Sequence, residues 1–242
     1  MIISKSNVIS NNSISLDAGS LFSGALSNLQ DSHFSRVVSS SSTTFKFTII
    51  SAGSCQYVAL HGLNLEAGNV VTVNGTSFNK TFTVTRPIKN LVFYTPTAVT
   101  LGSLSVEITG TGTKVISYMQ AGLVSHIAWG TSSGQPLHYL GNNLTNQVTT
   151  NGDGMPVNRV QETKAPKLSL NFKNMYKTWA RTDLQEINAL YNETGILSQL
   201  DYEEENQPDE SCALFELTNQ KVSTHSSTTT LVDVSLTVRV VA

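Results

Sequence analysis

Charge is scarce in this chain: Asp, Glu, Lys and Arg together make up 13% of its 242 residues, about half the share usual for a soluble domain. The net charge is −2 and the basic residues are scattered, which removes the electrostatic footprint of a nucleic-acid binder. No window approaches the roughly 18 consecutive apolar residues that a membrane span requires. The opening run from Met1 to Leu16 has no apolar core of signal-peptide length, so folding in a cytoplasm is expected. Cysteine is nearly absent; Cys55 and Cys212 sit inside strand-like segments and are expected as buried free thiols rather than a disulfide. The motifs of common nucleophiles and phosphate sites are also missing: there is no Gly-x-Ser-x-Gly, no phosphate-binding loop, and no Gly-x-Gly-x-x-Gly after a strand. A non-enzymatic protein with no cofactor is the expectation.

Ser, Thr and Asn take the place of charge. They compete for backbone hydrogen bonds and weaken helix interiors, which favours strands and turns. The pattern agrees. Phe45, Phe47 and Ile49 alternate with Lys46 and Thr48, the period of a half-buried strand. The run from Ser54 to Gly75 reads as a buried strand (Cys55, Tyr57–Leu60), a crossing bracketed by Gly62 and Gly68, and a second strand (Val70, Val71, Val73) ending at an Asn74-Gly75 turn. Strands follow around Phe78–Val84, Leu91–Tyr94, Leu104–Ile108 and Val115–Ala121, separated by Arg86-Pro87, Thr95-Pro96 and Gly110-Thr111-Gly112. Short strands at regular spacing predict an antiparallel β-sandwich or jelly roll over 43–121.

Residues 1–42 read as an N-terminal arm whose Ile14, Leu16, Leu21 and Phe22 cover a sheet edge or a neighbour. Residues 122–160, rich in Gly, Asn, Ser and Thr, read as a loop-rich arm or excursion. Residues 161–242 form a β-rich C-terminal part carrying one helix. The spacing of Ala180, Leu184, Ile187 and Leu190 predicts that helix over about 183–194, with Thr182 and Gln185 as a capping box and Gly195 as its left-handed stop. The chain closes on a strand in which Val232, Val234, Leu236, Val238 and Val240 face one side. The fold class is therefore mainly β: a sandwich or jelly roll followed by a second β-rich part with one α-helix.

Candidate chemistry is thin. The histidines His33, His61, His126, His138 and His225 are far apart and lack metal-ligand spacing, so His61 is expected as a packed or turn-capping residue. Asp201, Glu203, Glu204, Glu205, Asp209 and Glu210 form one acidic surface loop without calcium-loop spacing. Trp129, by a Gly/Ser-rich stretch, and Tyr139 are the candidates for stacking a sugar ring, with Tyr94 near a strand end.

The words Asp31-Ser-His-Phe-Ser35-Arg36, Phe45-Lys-Phe-Thr-Ile49, Tyr57-Val-Ala-Leu-His61-Gly62-Leu63-Asn64-Leu65 and Gly68-Asn-Val-Val-Thr-Val73 resemble a module of tailed-bacteriophage virion proteins, itself similar to discoidin-like jelly rolls. The segment from Lys167 to the final strand also looks like tail-protein sequence. The resemblance implies a structural subunit of a phage tail, tail tip or baseplate in the virion, assembled in the host cytoplasm. Its partners would be copies of itself and other tail proteins, with no nucleic acid and no membrane, and the His61-Gly62-x-Asn64 turn would be a structural corner. The alternative is a β-sandwich that binds a glycan of the host surface. A hydrolase of cell-wall sugars, suggested by the acidic loop, is the third reading.

Overall fold

The computed structural model describes residues 2–127, 143–150, 156–164, 167–200, 206–208, 212–224 and 230–241. Its first strands are β1 (Ile2–Ser4), β2 (Ile14–Ala18), β3 (Val38–Ser40), β4 (Thr44–Leu65), β5 (Val70–Gly75), β6 (Asn79–Thr83), β7 (Ile88–Thr109), β8 (Lys114–Ile116), β9 (Tyr118–Gly122) and β10 (Val124–His126). They continue as β11 (Asn143–Thr150), β12 (Pro156–Lys164), β13 (Lys167–Tyr176), β14 (Leu197–Leu200), β15 (Asn206–Pro208), β16 (Cys212–Thr224) and β17 (Leu231–Val241), with α1 (Lys177–Arg181) and α2 (Asp183–Thr194) after β13. The architecture is mainly β, an antiparallel sandwich of jelly-roll type followed by a second β-rich part with a small helical insertion, as the alternation predicts.

The first sheet runs β2-β4-β7-β5-β6, with β9 added on β4 and β15 on β7. Phe45, Phe47 and Ile49 are wholly buried with Val71, Val73, Leu104, Val106 and Ile108 in one core. Each such side chain contributes about 1.5–3 kcal/mol on burial. The alternate positions face out, where Lys46 pairs with Glu107 directly across the ladder at 3.4 Å. β2 covers the β4 edge through Ile14 and Leu16, so part of the N-terminal segment does cap a sheet edge.

β4 and β7 are longer than the alternation suggests, each spanning 22 residues. The expected break at Thr95-Pro96 is a bulge within β7: Tyr57 pairs with Tyr94 but Cys55 pairs with Val99. Looped out there, Pro96 costs no ladder bond, and its carbonyl accepts from Gln56 Nε2 at 3.0 Å. Beyond this bulge both faces of the paired strands are buried, which explains the unbroken apolar runs Tyr57–Leu60 and Leu91–Tyr94. The Asn74-Gly75 turn is displaced by one residue. Asn74 still pairs with Asn79, and the reversal is made by Gly75–Phe78, where the Gly75 amide donates to the Phe78 carbonyl.

The second sheet runs β10-β1-β14-β16-β17-β13. On one face Phe172, Val234 and Leu236 pack beneath Leu184, Ile187 and Leu190 of α2. α2 spans the predicted residues and stops at Gly195, whose φ of 73° lets its amide donate to the Tyr191 carbonyl at 2.7 Å. The capping box does not form. α1 already supplies a helical turn, and Thr182 Oγ1 donates back to the Thr178 carbonyl and accepts no backbone amide of α2. Within 122–160, among the described residues, β10 joins the second sheet, and β11 and β12 pair as an antiparallel ribbon. The six acidic-loop carboxylates lie outside the described residues, although β15 within that loop pairs with Leu91–Phe93 of β7.

The His61-Gly62 corner has a steric cause. Gly62 has φ of 62°, and a Cβ there would lie 2.2 Å from Ser117 Oγ. Gly62→Ala is therefore expected to cost roughly 2–4 kcal/mol in urea unfolding, from left-handed strain plus the clash. Adding Ser117→Gly should recover the clash and leave the strain; no recovery would show that the corner is not set by this contact.

Candidate functional site

Of the titratable residues that sequence reasoning singles out, His61, Cys55 and Cys212 are structural, whereas His138, His225 and the acidic-loop carboxylates lie outside the described residues. His61 is completely buried between the two large sheets. Its Nδ1 lies 2.9 Å from Asn90 Oδ1 and its Nε2 3.0 Å from Ser198 Oγ, which in turn lies 2.7 Å from Gln120 Oε1. One hydroxyl proton cannot serve both the imidazole and the amide oxygen, so a neutral ring is satisfied by turning over either the Asn90 or the Gln120 amide. Burial pushes the His61 pKa down to about 4, only partly offset by the bond to Asn90. Cys55 and Cys212 are both free and buried. Burial pushes the Cys55 thiol up to about 12, so it is held in its unreactive form. Tyr94 is also wholly buried, its hydroxyl 3.1 Å from His126 Nε2, and presents no ring to a ligand. Trp129 and Tyr139 lie outside the described residues. Among the described residues no group of three or more His, Cys, Asp or Glu is placed to hold a metal, and no helix is long and apolar enough to cross a membrane.

The described residues include two concavities with mostly polar linings. One, about 360 Å³, lies where residues 10–11, the 3₁₀ turn Leu26–Gln30 and the end of α2 meet. Its polar groups are largely spent on one another. Ser10 Oγ donates to Glu193 at 2.7 Å, Gln30 Nε2 donates to the Ile9 and Asn12 carbonyls, and Asp31 binds Arg36 and the His33 amide. Nearby, Lys5 bridges Asp183 and Glu186 at 3.0 and 2.9 Å. Burial works against the Lys5 charge, but the bonds to the two carboxylates outweigh it and hold the pKa above the ordinary lysine value. This seam braces α2 against the N-terminal segment.

The other, a trough of about 430 Å³, lies on the second sheet, on the face turned away from α2. Near β1, β14 and the start of β16 this face is covered: Ile2, Leu200 and Cys212 pack on Tyr57, Val92 and Tyr94 of the first sheet. Along β17, β13 and the rest of β16 it is open. Register sets Asn171 and Lys221 on either side of Ser235, and Ser223 beside Asp233. Asn171 Oδ1 accepts from Ser235 Oγ at 2.7 Å, and Asp233 Oδ1 accepts the Asn174 amide at 2.9 Å. Asn174 has φ of 58°, the left-handed residue of a bulge between Phe172 and Met175. That bulge keeps Met175 buried and leaves Tyr176 on the open face, 58% exposed, opposite Leu231. Lys173 and Lys221 are exposed, and neither is paired with another described residue. Sequence reasoning missed Tyr176 because it sits at a strand-to-helix junction, where alternation no longer reports facing.

No family model matches the chain, and no curated protein matches it. Among solved structures it is similar to the lectin domain of lectinolysin complexed with Lewis B antigen, at 12% identity and a TM-score of 0.38 over 48% of this chain and 95% of that one. It is similar to chitosan-binding module 1 of a Paenibacillus sp. IK-5 chitosanase/glucanase, at 17% identity and 0.37 over 48% and 98%. The family 32 carbohydrate-binding module of C. perfringens NanJ in complex with galactose gives 8% and 0.35 over 47% and 93%. Against SpGH29 the chain spans only 28% of that protein's length. At these TM-scores no residue role transfers. The finding nevertheless corrects the tail-protein expectation: the similar structures are lectin and carbohydrate-binding modules, not tail or baseplate proteins. The virion setting, and assembly with tail proteins and further copies as the main interaction, are withdrawn with it. The physical reason is that the words at 45–49, 57–65 and 68–73 fall on β4, β5 and the Gly62 corner, which are fold-forming positions, while that at 31–36 lies between the 3₁₀ turn and β3.

The folded-state pKa of His61 lies below its unfolded value, so the unfolded chain takes up its proton first as pH falls. Stability is unaffected by this group above about pH 6.5, declines from there to about pH 4, and levels off below; 2.5 units at 1.36 kcal/mol each give about 3 kcal/mol. Urea unfolding at several pH values in that window checks this, and His61→Gln should flatten the curve. Equal acid sensitivity in the variant would assign the effect elsewhere.

Proposed function

We propose that this chain is a non-catalytic glycan-binding protein whose sugar platform is the open face of the second sheet. The observation that carries the reading is Tyr176, a largely exposed residue whose partner Leu231 lies two positions along β17 from Asp233, on the same face as a trough of amide, hydroxyl, carboxylate and ammonium groups. A pyranose has an apolar face of C–H groups and a rim of hydroxyls. An exposed aromatic ring supplies the matching flat surface, and a few fixed polar groups set the orientation. Here Asn171 and Ser235 are locked to each other and Asp233 is locked to the bulge amide, so the polar rim is formed before any ligand arrives. Phe22 is more exposed at 77%, but it stands on a loop outside this trough. The non-catalytic part of the reading is supported by the Cys55 thiol and the His61 ring, each buried and held in its neutral form.

Affinity electrophoresis through gels containing neutral and acidic polysaccharides tests this. The protein should be retarded by at least one of them. Tyr176→Ala should weaken that retardation about tenfold, ~1.4 kcal/mol, near the upper range of an aromatic contact. Unchanged retardation in Tyr176→Ala overturns the platform, and loss in Trp129→Ala or Tyr139→Ala instead moves the site to the segment carrying those residues. No retardation by any polysaccharide overturns the glycan reading itself.

A further inference from the structure

The charges on the open face are not balanced. Lys167 and Arg239 stand opposite each other, Glu216 lies beyond Arg239, and Lys173, Lys221 and Asp233 border the trough. Arg239 is satisfied by its ion pair with Glu216. Asp233 turns one oxygen into the Asn174 amide. Lys167, Lys173 and Lys221 are left as exposed ammonium groups, and of these Lys173 and Lys221 border the trough on the outer strands of a three-strand surface, with β17 between them. Neighbouring strands lie about 4.8 Å apart, so the two lysines flank a strip roughly two strand spacings wide, the scale of one sugar ring with its substituents. This local excess of positive charge lies on a chain whose net charge is −2. Overall charge therefore does not account for it.

We infer that the sugar taken by this face is acidic: a uronic-acid unit of a polysaccharide, its ring against Tyr176 and its carboxylate between the ammonium groups of Lys173 and Lys221. The inference rests on the glycan reading and deepens it. A carboxylate is the anion that a sugar carries on its ring without adding bulk to the apolar face. Lysine, a flexible point charge, meets it without the paired geometry that arginine imposes. The trough floor of Asn171, Ser223 and Ser235 offers hydroxyl and amide groups to the ring hydroxyls. Both ion pairs would be exposed, so each adds little and both weaken in salt. Selectivity for the acid over its neutral form is the expected signature, more than high affinity.

The test compares polygalacturonate, alginate and hyaluronan with their methyl esters, which keep the sugar and remove the charge. Wild-type protein should be retarded more strongly by at least one free acid than by its ester. Raising salt from about 0.1 M to about 1 M, where the screening length falls to ~3 Å, should abolish the difference. Lys173→Gln with Lys221→Gln should reduce retardation by the acid about tenfold and leave the ester unchanged; both side chains are exposed, so an unaltered thermal melt confirms folding. Equal retardation by acid and ester, with loss in Tyr176→Ala, overturns the acidic inference and leaves the sugar platform standing. Retardation by neutral polysaccharides alone does the same. No retardation by any sugar overturns both, and equal retardation by polyacrylate reduces the effect to plain charge attraction and overturns the inference.

Discussion

Tyr57, Tyr94 and Tyr118 are wholly buried in the space between the two large sheets, and each brings a hydroxyl group that must find a partner there. The partners come from distant parts of the chain. Tyr57 donates to the Ser6 carbonyl, Tyr94 meets His126, and Tyr118 stacks on the His61 ring with the Gln120 amide beside its hydroxyl. Ser198 ties His61 and Gln120 to the second sheet, and its own amide donates to Ser4 Oγ at 2.9 Å. A buried polar layer of this kind is stable only if every member is satisfied. It therefore demands one relative placement of β4, β9, β14 and the N-terminal strand. β1, three residues long, is pinned by ladders to β10 and β14 on its two sides and so carries the N-terminus into the second sheet.

That junction is smaller than the second sheet. Hydrophobic packing between the sheets ends at Leu214, and from Glu216 onward the same face of β16 turns polar. On the face opposite, β17 keeps its apolar stripe from Val232 to Val240 because α2 covers that side. A strand with one covered and one open face must alternate, and β17 does so over its whole length. The open trough follows from the size mismatch between a large second sheet and a limited contact area. The Asn174 bulge then re-aims the chain just before α1, and Tyr176 is exposed because Met175 must stay in the core.

Much of this was legible in the residues, for physical reasons that differ from element to element. The alternation of 45–49 and of 232–240 reports one buried face directly, and both segments are strands of that kind. α2 was readable because its apolar spacing and its glycine stop agree. The capping box was not, because whether Thr182 caps depends on whether a helical turn precedes it, which is a tertiary matter. β11 and β12 escaped notice because Asn- and Thr-rich strands lack apolar contrast. The continuity of β4 through 51–56 was hidden by small residues, and that of β7 by a proline that a bulge absorbs. The trough was illegible for a stronger reason. Lys173, Lys221, Asp233 and Tyr176 are ordinary surface residues in sequence and become a site only through the pairing of β13, β17 and β16.

The short words behind the withdrawn tail-protein expectation are largely explained by the fold itself. In Ala59-Leu60-His61-Gly62-x-Asn64, Ala59 and Leu60 are buried on opposite faces of one strand, His61 is a neutral buried ring, and Gly62 is required by a left-handed corner against Ser117. Ala59 to Gly62 are accounted for by packing, hydrogen bonding or backbone geometry, while Asn64 is exposed. Residues explained by the fold constrain only the fold, and any chain turning this corner under the same burial would be driven toward similar residues at these four positions. Function has to be sought where folding leaves side chains unexplained. Lys173, Lys221 and Tyr176 meet that description: they cover no core, and no fold requirement found in this chain accounts for an exposed ring and two free ammonium groups around one trough.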